Sequence, residues 1–280
     1  MQLTYEDCSV PDLPAERYHA IEALSSTVAR DLLSASPRHA LHRKQHREET
    51  PAMRLGTALH SAVLEPERRM IAVAPHVDRR TKDGKAKHEE FLLANAGKIT
   101  LTADQGDLLA GMLCGIRRCK SALALLDAAP TRELSLFARD PATRVPCKAR
   151  FDALSESTKF ILDVKSTSGL ATRSEFERAI ATRGYGFQAA FYMHVASLLG
   201  YEVDTFAFMV VESEPPHECA VFMLQPEVIE LYMPQVTKAL KTYAGCIATA
   251  EWDGYEDKVH EIGVPLWLRR QLEDGLEVAA

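Results

Sequence analysis

The chain of 280 residues has no apolar run long enough to cross a bilayer and no cationic-then-apolar leader, so it reads as a cytoplasmic protein with no membrane attachment. Its six cysteines, at positions 8, 114, 119, 147, 219 and 246, include no Cys-x-x-Cys pair. All six read as reduced thiols, and no zinc site is expected. Internal repeats and low-complexity tracts are absent, which removes solenoids and arrays. Positive charge is not in excess either. A net charge of −6 argues against a generic nucleic-acid coat, although phosphate contacts need only a local Lys/Arg cluster and metal-binding acids add to the negative count. What remains is ordinary globular composition, 46% hydrophobic and 26% charged, enough for one substantial core or a core with a helical annex.

The organising stretch is Glu133–Lys165. Leu134, Leu136 and Ala138 recur at every second position, Cys147 to Leu154 forms a second strand, and Phe160-Ile161-Leu162 is a buried-looking run that stops at Asp163. Asp140-Pro141-Ala142-Thr143 and Ser155-Glu156-Ser157-Thr158 have turn chemistry. The spacing predicts a three-stranded antiparallel meander. Residues i and i+2 of a strand share a face, so Asp163 and Lys165 project together and Val164 faces away. Pairing of the second and third strands brings Asp152 close to Asp163. Two carboxylates on an apolar sheet repel unless a cation lies between them, and hard oxygen ligands suit Mg²⁺. Lys165 then orients or deprotonates a water, or neutralises a phosphate. The alternative is that the acids are solvated strand ends.

Arg150-Phe151-Asp152 followed by Asp163-Val164-Lys165 resembles the PD-(D/E)XK nuclease superfamily, with Phe where Pro is usual. Gly56-Thr57-Ala58-Leu59-His60 resembles the Gly-x-x-x-His motif of its recombination-exonuclease branch, and Gln188-Ala189-Ala190-Phe191-Tyr192 that branch's Gln-x-x-x-Tyr motif. The flanks Leu64-Glu65-Pro66-Glu67 and Cys147-Lys148-Ala149-Arg150 are similar to the exodeoxyribonuclease VIII-like (RecE-like) exonucleases of prophages. The likeness runs from about Leu24 to about Ala250. It implies Mg²⁺, replaceable by Mn²⁺, with two ions per site held by Asp152, Asp163, the Val164 carbonyl and His60. Glu133 is a further ligand or only a strand-edge charge. Gln188 and Tyr192, i and i+4 on one helix, would hold a DNA strand by hydrogen bond and stacking.

Around this centre, Ser25-Ser26-Thr27 opens a helix that ends at Ser36-Pro37. His39, His42, Arg43, Lys44, His46 and Arg47 form a basic stretch, a solvated face or a phosphate-contacting edge. Met53–Leu64 is a helix. Arg79, Arg80, Lys82, Lys85 and Lys87 belong to the most basic segment, which reads as a loop with an Asp-Gly turn ahead of a helix from Glu89, and is either a DNA-gripping element or an exposed charged loop. Ser166 and Thr167 offer hydroxyls to phosphate, and Arg150 joins the candidate DNA contacts. Two further strands are expected at Val203–Val211 and Glu218–Leu224, then a long helix from Gln225-Pro226 to about Ala250.

The expectation is an α/β fold of restriction-endonuclease-like, PD-(D/E)XK type: a mixed sheet of about five strands flanked by helices, with an N-terminal helical region. Residues 1–280 form one nuclease domain, divided into a helical part (1–130), a catalytic core (131–250) and a tail (251–280). The resemblance implies an exonuclease acting on linear double-stranded DNA ends, 5′→3′, leaving 3′ tails for recombination in a bacterial or phage-infected cell. It also implies a ring-shaped homo-oligomer, trimer or tetramer, and a single-strand annealing protein as partner. An endonuclease on the same core, or a non-catalytic DNA-binding or assembly protein, are the alternatives.

Overall fold

Hydroxyl caps set the starts of five helices in the N-terminal half. The computed structural model describes residues 7–46, 48–78 and 80–277. Strand β1 (Cys8–Val10) and the short helix α1 (Ala15–Ala20) come first. Ser25 Oγ accepts from Val28 N at the start of α2 (Ser26–Ser34), and Ser36 caps α3 (Pro37–Gln45). His39 to Lys44 of the basic stretch therefore lie in a helix of their own, with His46 at its C-cap; Arg47 lies outside the described residues. Thr50 caps α4 (Pro51–Leu64). Then come β2 (Ile71–Val73), α5 (Lys82–Ala94), β3 (Ile99–Leu101), α6 (Ala103–Arg118), with a full Thr102/Gln105 capping box, and α7 (Lys120–Ala128).

The expected loop at 78–88 is mostly helix, and its Asp-Gly pair is not a turn. Thr81 Oγ1 accepts from Gly84 N at 3.0 Å, which caps α5 and starts it two residues before that glycine. A Cβ on Gly84 would lie 2.0 Å from the Asp78 carbonyl oxygen, so the glycine serves close backbone approach.

The meander follows as β4 (Thr131–Arg139), β5 (Pro146–Ser155) and β6 (Phe160–Thr167), joined antiparallel through the two turns. Helices α8 (Arg173–Thr182) and α9 (Tyr185–Leu198) form the crossover to β7 (Thr205–Glu212), which pairs parallel with β6 so that Asp163 lies opposite Phe208. Strand β8 (Cys219–Met223), the long helix α10 (Pro226–Thr249) and α11 (Leu266–Glu277) complete the chain. The sheet has six strands in the order β1-β4-β5-β6-β7-β8, and β2 pairs with β3 separately. The strand beyond the expected five is β1, too short to show a period in the sequence.

The sheet is covered on both faces, which is why Phe206–Val211 is apolar without interruption. On one face Leu136, Phe151, Ile161 and Phe208 pack against Phe191 and Val195 of α9, with α2 and α10 behind. On the other, Leu162, Val164 and Met209 meet Leu59 of α4 and Met112 of α6. A third cluster, Leu13, Tyr18, Ile21, Ala23 and Phe137, seats the N-terminal segment against β4. In the tail, Trp252 docks edge-on to Tyr243 and Tyr255 lies by His39, whereas Trp267 is largely exposed.

Candidate active site

Strands β5 and β6 are ten and eight residues long, yet their ladder holds only from Ser155–Phe160 to Ala153–Leu162. The next step would set Asp152 against Asp163. There the strands part, and the Asp152 side chain replaces the missing ladder bond: its Oδ2 accepts from Val164 N at 2.7 Å. The neighbouring ladder breaks at the same level. Arg132 pairs with Ala153 and Leu134 with Phe151, but Glu133, between them, has a left-handed φ of 46°. Glu133, Asp152 and Asp163 thus share one level of the sheet and are 8%, 7% and 2% exposed, so each needs a partner.

Each has a cation. His60, on α4 one turn after Gly56, places Nδ1 3.4 Å from Asp152 Oδ1 and Nε2 3.0 Å from the Val164 carbonyl oxygen. Lys165 Nζ contacts Asp163 Oδ2 and lies 5.3 Å from the Tyr185 ring centroid. Arg150 Nε donates to Glu133 Oε2. Ligand atoms of His60, Glu133 and Asp152 all lie within 4.8 Å of one another. One imidazole and two carboxylates facing each other across a strand fork suit a divalent cation.

The electrostatics follow from burial set against these pairs. Burial disfavours charge on His60, but Asp152 outweighs it and raises the imidazole to about 9. Burial would likewise raise Asp152, yet His60, Lys165 and the Val164 N–H hold it below the ordinary carboxylate range. Burial pushes Asp163 up to about 6 against the pull of Lys165. Glu133 is raised by burial and by Asp152, with Arg150 and His60 opposing. Lys165 loses by burial and gains more from Asp163 and Asp152, so its pKa lies above the usual lysine value.

Helix α9 supports the fork from the other side. Gln188 Nε2 donates to Asp163 Oδ1 at 2.8 Å. Tyr192 packs between Phe151 and Phe206, at 5.6 and 6.2 Å between ring centroids, and burial raises its phenol well above the ordinary value. Its half-buried ring packs against the core, with Phe151 and Phe206 on either side of it. Of the pair, Gln188 is the one that hydrogen-bonds Asp163 directly.

The expected DNA contacts are dispersed. Arg79 lies outside the described residues. Arg80 folds back on Asp78 at 3.0 Å, and Lys87 pairs with Asp83 at 2.8 Å; both are exposed on or beside α5 with Lys82 and Lys85. Arg150 faces inward, held by Glu133 and by the Leu13 carbonyl at 2.9 Å. Ser166 and Thr167 line a cavity that opens beside Lys165 and is walled by Arg178, Arg183 and Tyr185. The motifs gave no sign of the Arg150–Glu133 pair or of the N-terminal segment behind it. An arginine two residues before the strand acid was the available signal.

No curated protein matches the chain. Among solved structures, a "Putative exonuclease" from Eubacterium rectale aligns with a TM-score of 0.59 at 12% identity, over 91% of this chain and 97% of that one. A phage related exonuclease from Haemophilus somnus aligns with a TM-score of 0.36 at 14% identity, over 82% and 96%. The first of these is a likeness of fold. The model of a PDDEXK-like domain of unknown function matches residues 25–262, and its span includes every member of the strand fork: the chain belongs to the PDDEXK-like domain family.

Proposed function

We propose that the chain is a metal-dependent nuclease that hydrolyses DNA phosphodiester bonds at the β5–β6 fork. The observation that carries this reading is the convergence of His60, from α4, and Lys165 on Glu133, Asp152 and Asp163, which share one level of three successive strands. His60, Glu133 and Asp152 would hold one cation. Asp163 and the Val164 carbonyl lie alongside for a second, and Mg²⁺ is the ion their chemistry suits, with Mn²⁺ as substitute. A divalent cation bound there would polarise the phosphate and lower the pKa of water.

The protein's own groups do the rest. Lys165, paired with Asp163, orients water and balances negative charge building on the phosphate. Gln188 holds Asp163 in place, and Tyr192 keeps solvent from that side of the fork. Water attacks phosphorus and gives up a proton to solvent, the bond to the 3′ oxygen breaks, and that oxygen takes up a proton from solvent. The cavity beside Lys165, with Ser166, Thr167, Arg178 and Arg183 on its wall, is where the backbone of the cut strand fits.

The finer reading is an exonuclease on linear duplex ends, 5′→3′, working as a ring of three or four subunits with an annealing partner. It rests on the motif resemblance, and Lys82 and Lys85 on exposed α5 are its candidate channel charges. Linear duplex labelled at the 5′ or 3′ end and a covalently closed circle, each incubated with Mg²⁺, test it. Loss of the 5′ label with an intact circle is the expected result. A cut circle would place the activity with endonucleases.

A further inference from the structure

Strand β5 carries Lys148, Arg150 and Asp152 at alternate positions. Lys148 is buried, and its Nζ donates to the carbonyls of Tyr18, His19 and Ile21 at 3.0, 3.3 and 2.7 Å, at the C-terminal end of α1. Arg150 Nη1 donates to the Leu13 carbonyl at 2.9 Å, and both cations lie over the Tyr18 ring, at 5.0 and 5.8 Å from its centroid. One strand therefore moors residues 13–21 and supplies Asp152 to the cluster.

Arg150 has a second task. Its Nε holds Oε2 of Glu133, and both side chains are nearly buried. Glu133 sits in a left-handed backbone conformation that L-residues rarely adopt, so its side chain needs an outside support to be placed reproducibly. A guanidinium can give that support from one edge, because its fork is planar and rigid. Here the other edge is pinned by Leu13 and the face is covered by Tyr18, so the arginine is a fixed brace.

We infer that Arg150 is a positioning residue that sets the Glu133 carboxylate into the His60–Asp152 cluster, and that the N-terminal segment through Tyr18 completes the site by fixing Arg150. This rests on the metal-dependent reading. It also adds to the site a segment that precedes the matched span of 25–262. Partners that orient a ligand contribute roughly 10–100-fold to metal affinity.

The test is Mn²⁺ binding by the full-length protein, followed through the electron paramagnetic resonance signal of free Mn²⁺. Arg150→Met should weaken binding roughly 10–100-fold, and Arg150→Lys should recover part of the loss. Tyr18→Leu, which leaves the cluster untouched, should weaken it severalfold. In a Glu133→Gln background Arg150→Met should cost little more, because the two act as a unit. Unchanged or tighter binding by Arg150→Met would overturn the inference, since Arg150 would then compete with the metal for Glu133. An undiminished loss in the Glu133→Gln background would also overturn it, as a general structural effect. Absence of Mn²⁺ binding by the wild type would instead bring down the metal-dependent reading itself.

Discussion

Glu133 and Asp152 face each other across β4 and β5 at the one level where the ladder between those strands breaks, with pairing intact on either side at Arg132–Ala153 and Leu134–Phe151. The break turns both carboxylates toward His60 instead of leaving them at a strand edge. Glu133→Gln keeps the shape and removes the charge, so it should lower cleavage by roughly 10²–10³-fold, the cost of losing one aimed electrostatic group. Initial rates on linear duplex measure this. Activity within a factor of about two of wild type would leave Glu133 as a structural acid paired with Arg150.

The pairing of His60 with Asp152 makes the metal-free protein pH-sensitive. With a folded-state pKa of about 9 against 6.5 unfolded, the stabilisation is fully present below pH 6.5 and is lost as pH rises through about 9. Asp163, at about 6, has finished titrating below most of this window. In chelator, the melting-temperature advantage of wild type over His60→Gln should shrink between about pH 7 and about pH 10. A difference that stays constant with pH would show that His60 is not protonated there.

Cation uptake must also displace that proton, because a metal ligand imidazole is neutral. Binding enthalpies measured by calorimetry near neutral pH, in buffers of differing ionisation enthalpy, should reveal net proton release. Zero release would mean that the ion avoids His60.

Gln188 has its amide on Asp163, so Gln188→Ala should slow cleavage roughly 10–100-fold, as outer partners of a site do. Tyr192→Phe keeps the ring packed against Phe151 and should cost less. Single-turnover rates order the variants, and the reverse order would restore a direct DNA contact for Tyr192.

Much of this site was legible because strand period is strict. The two-residue spacing of Asp163 and Lys165, and the turn at 155–158, place three side chains without further information. The roles of His60 and Gln188 were readable only as motifs, since each meets its partner across a fold contact: Val164 lies 104 positions from His60, and Asp163 lies 25 from Gln188. Two features of the fold escaped. β1 is too short for periodicity, and the Asp83–Gly84 pair was outweighed by the Thr81 cap. Arg150 misled because a strand arginine looks the same whether it faces phosphate or a buried glutamate.

Lys165 separates binding from chemistry. Lys165→Met leaves His60, Glu133 and Asp152 in place, so Mn²⁺ should still bind while hydrolysis falls by roughly 10²-fold or more. Loss of both would make the lysine a structural counter-charge for Asp163.

The central claim is that the β5–β6 fork is a metal-dependent phosphodiesterase site. The most direct measurement is digestion of linear duplex DNA by wild type and Asp163→Asn, each with Mg²⁺ and with excess chelator. Asp163→Asn removes one charge and almost no volume at a position 2% exposed, so the fold should persist. The account predicts cleavage by wild type with Mg²⁺ alone, and none by the variant or in chelator. Cleavage by Asp163→Asn at a rate near that of wild type would contradict it.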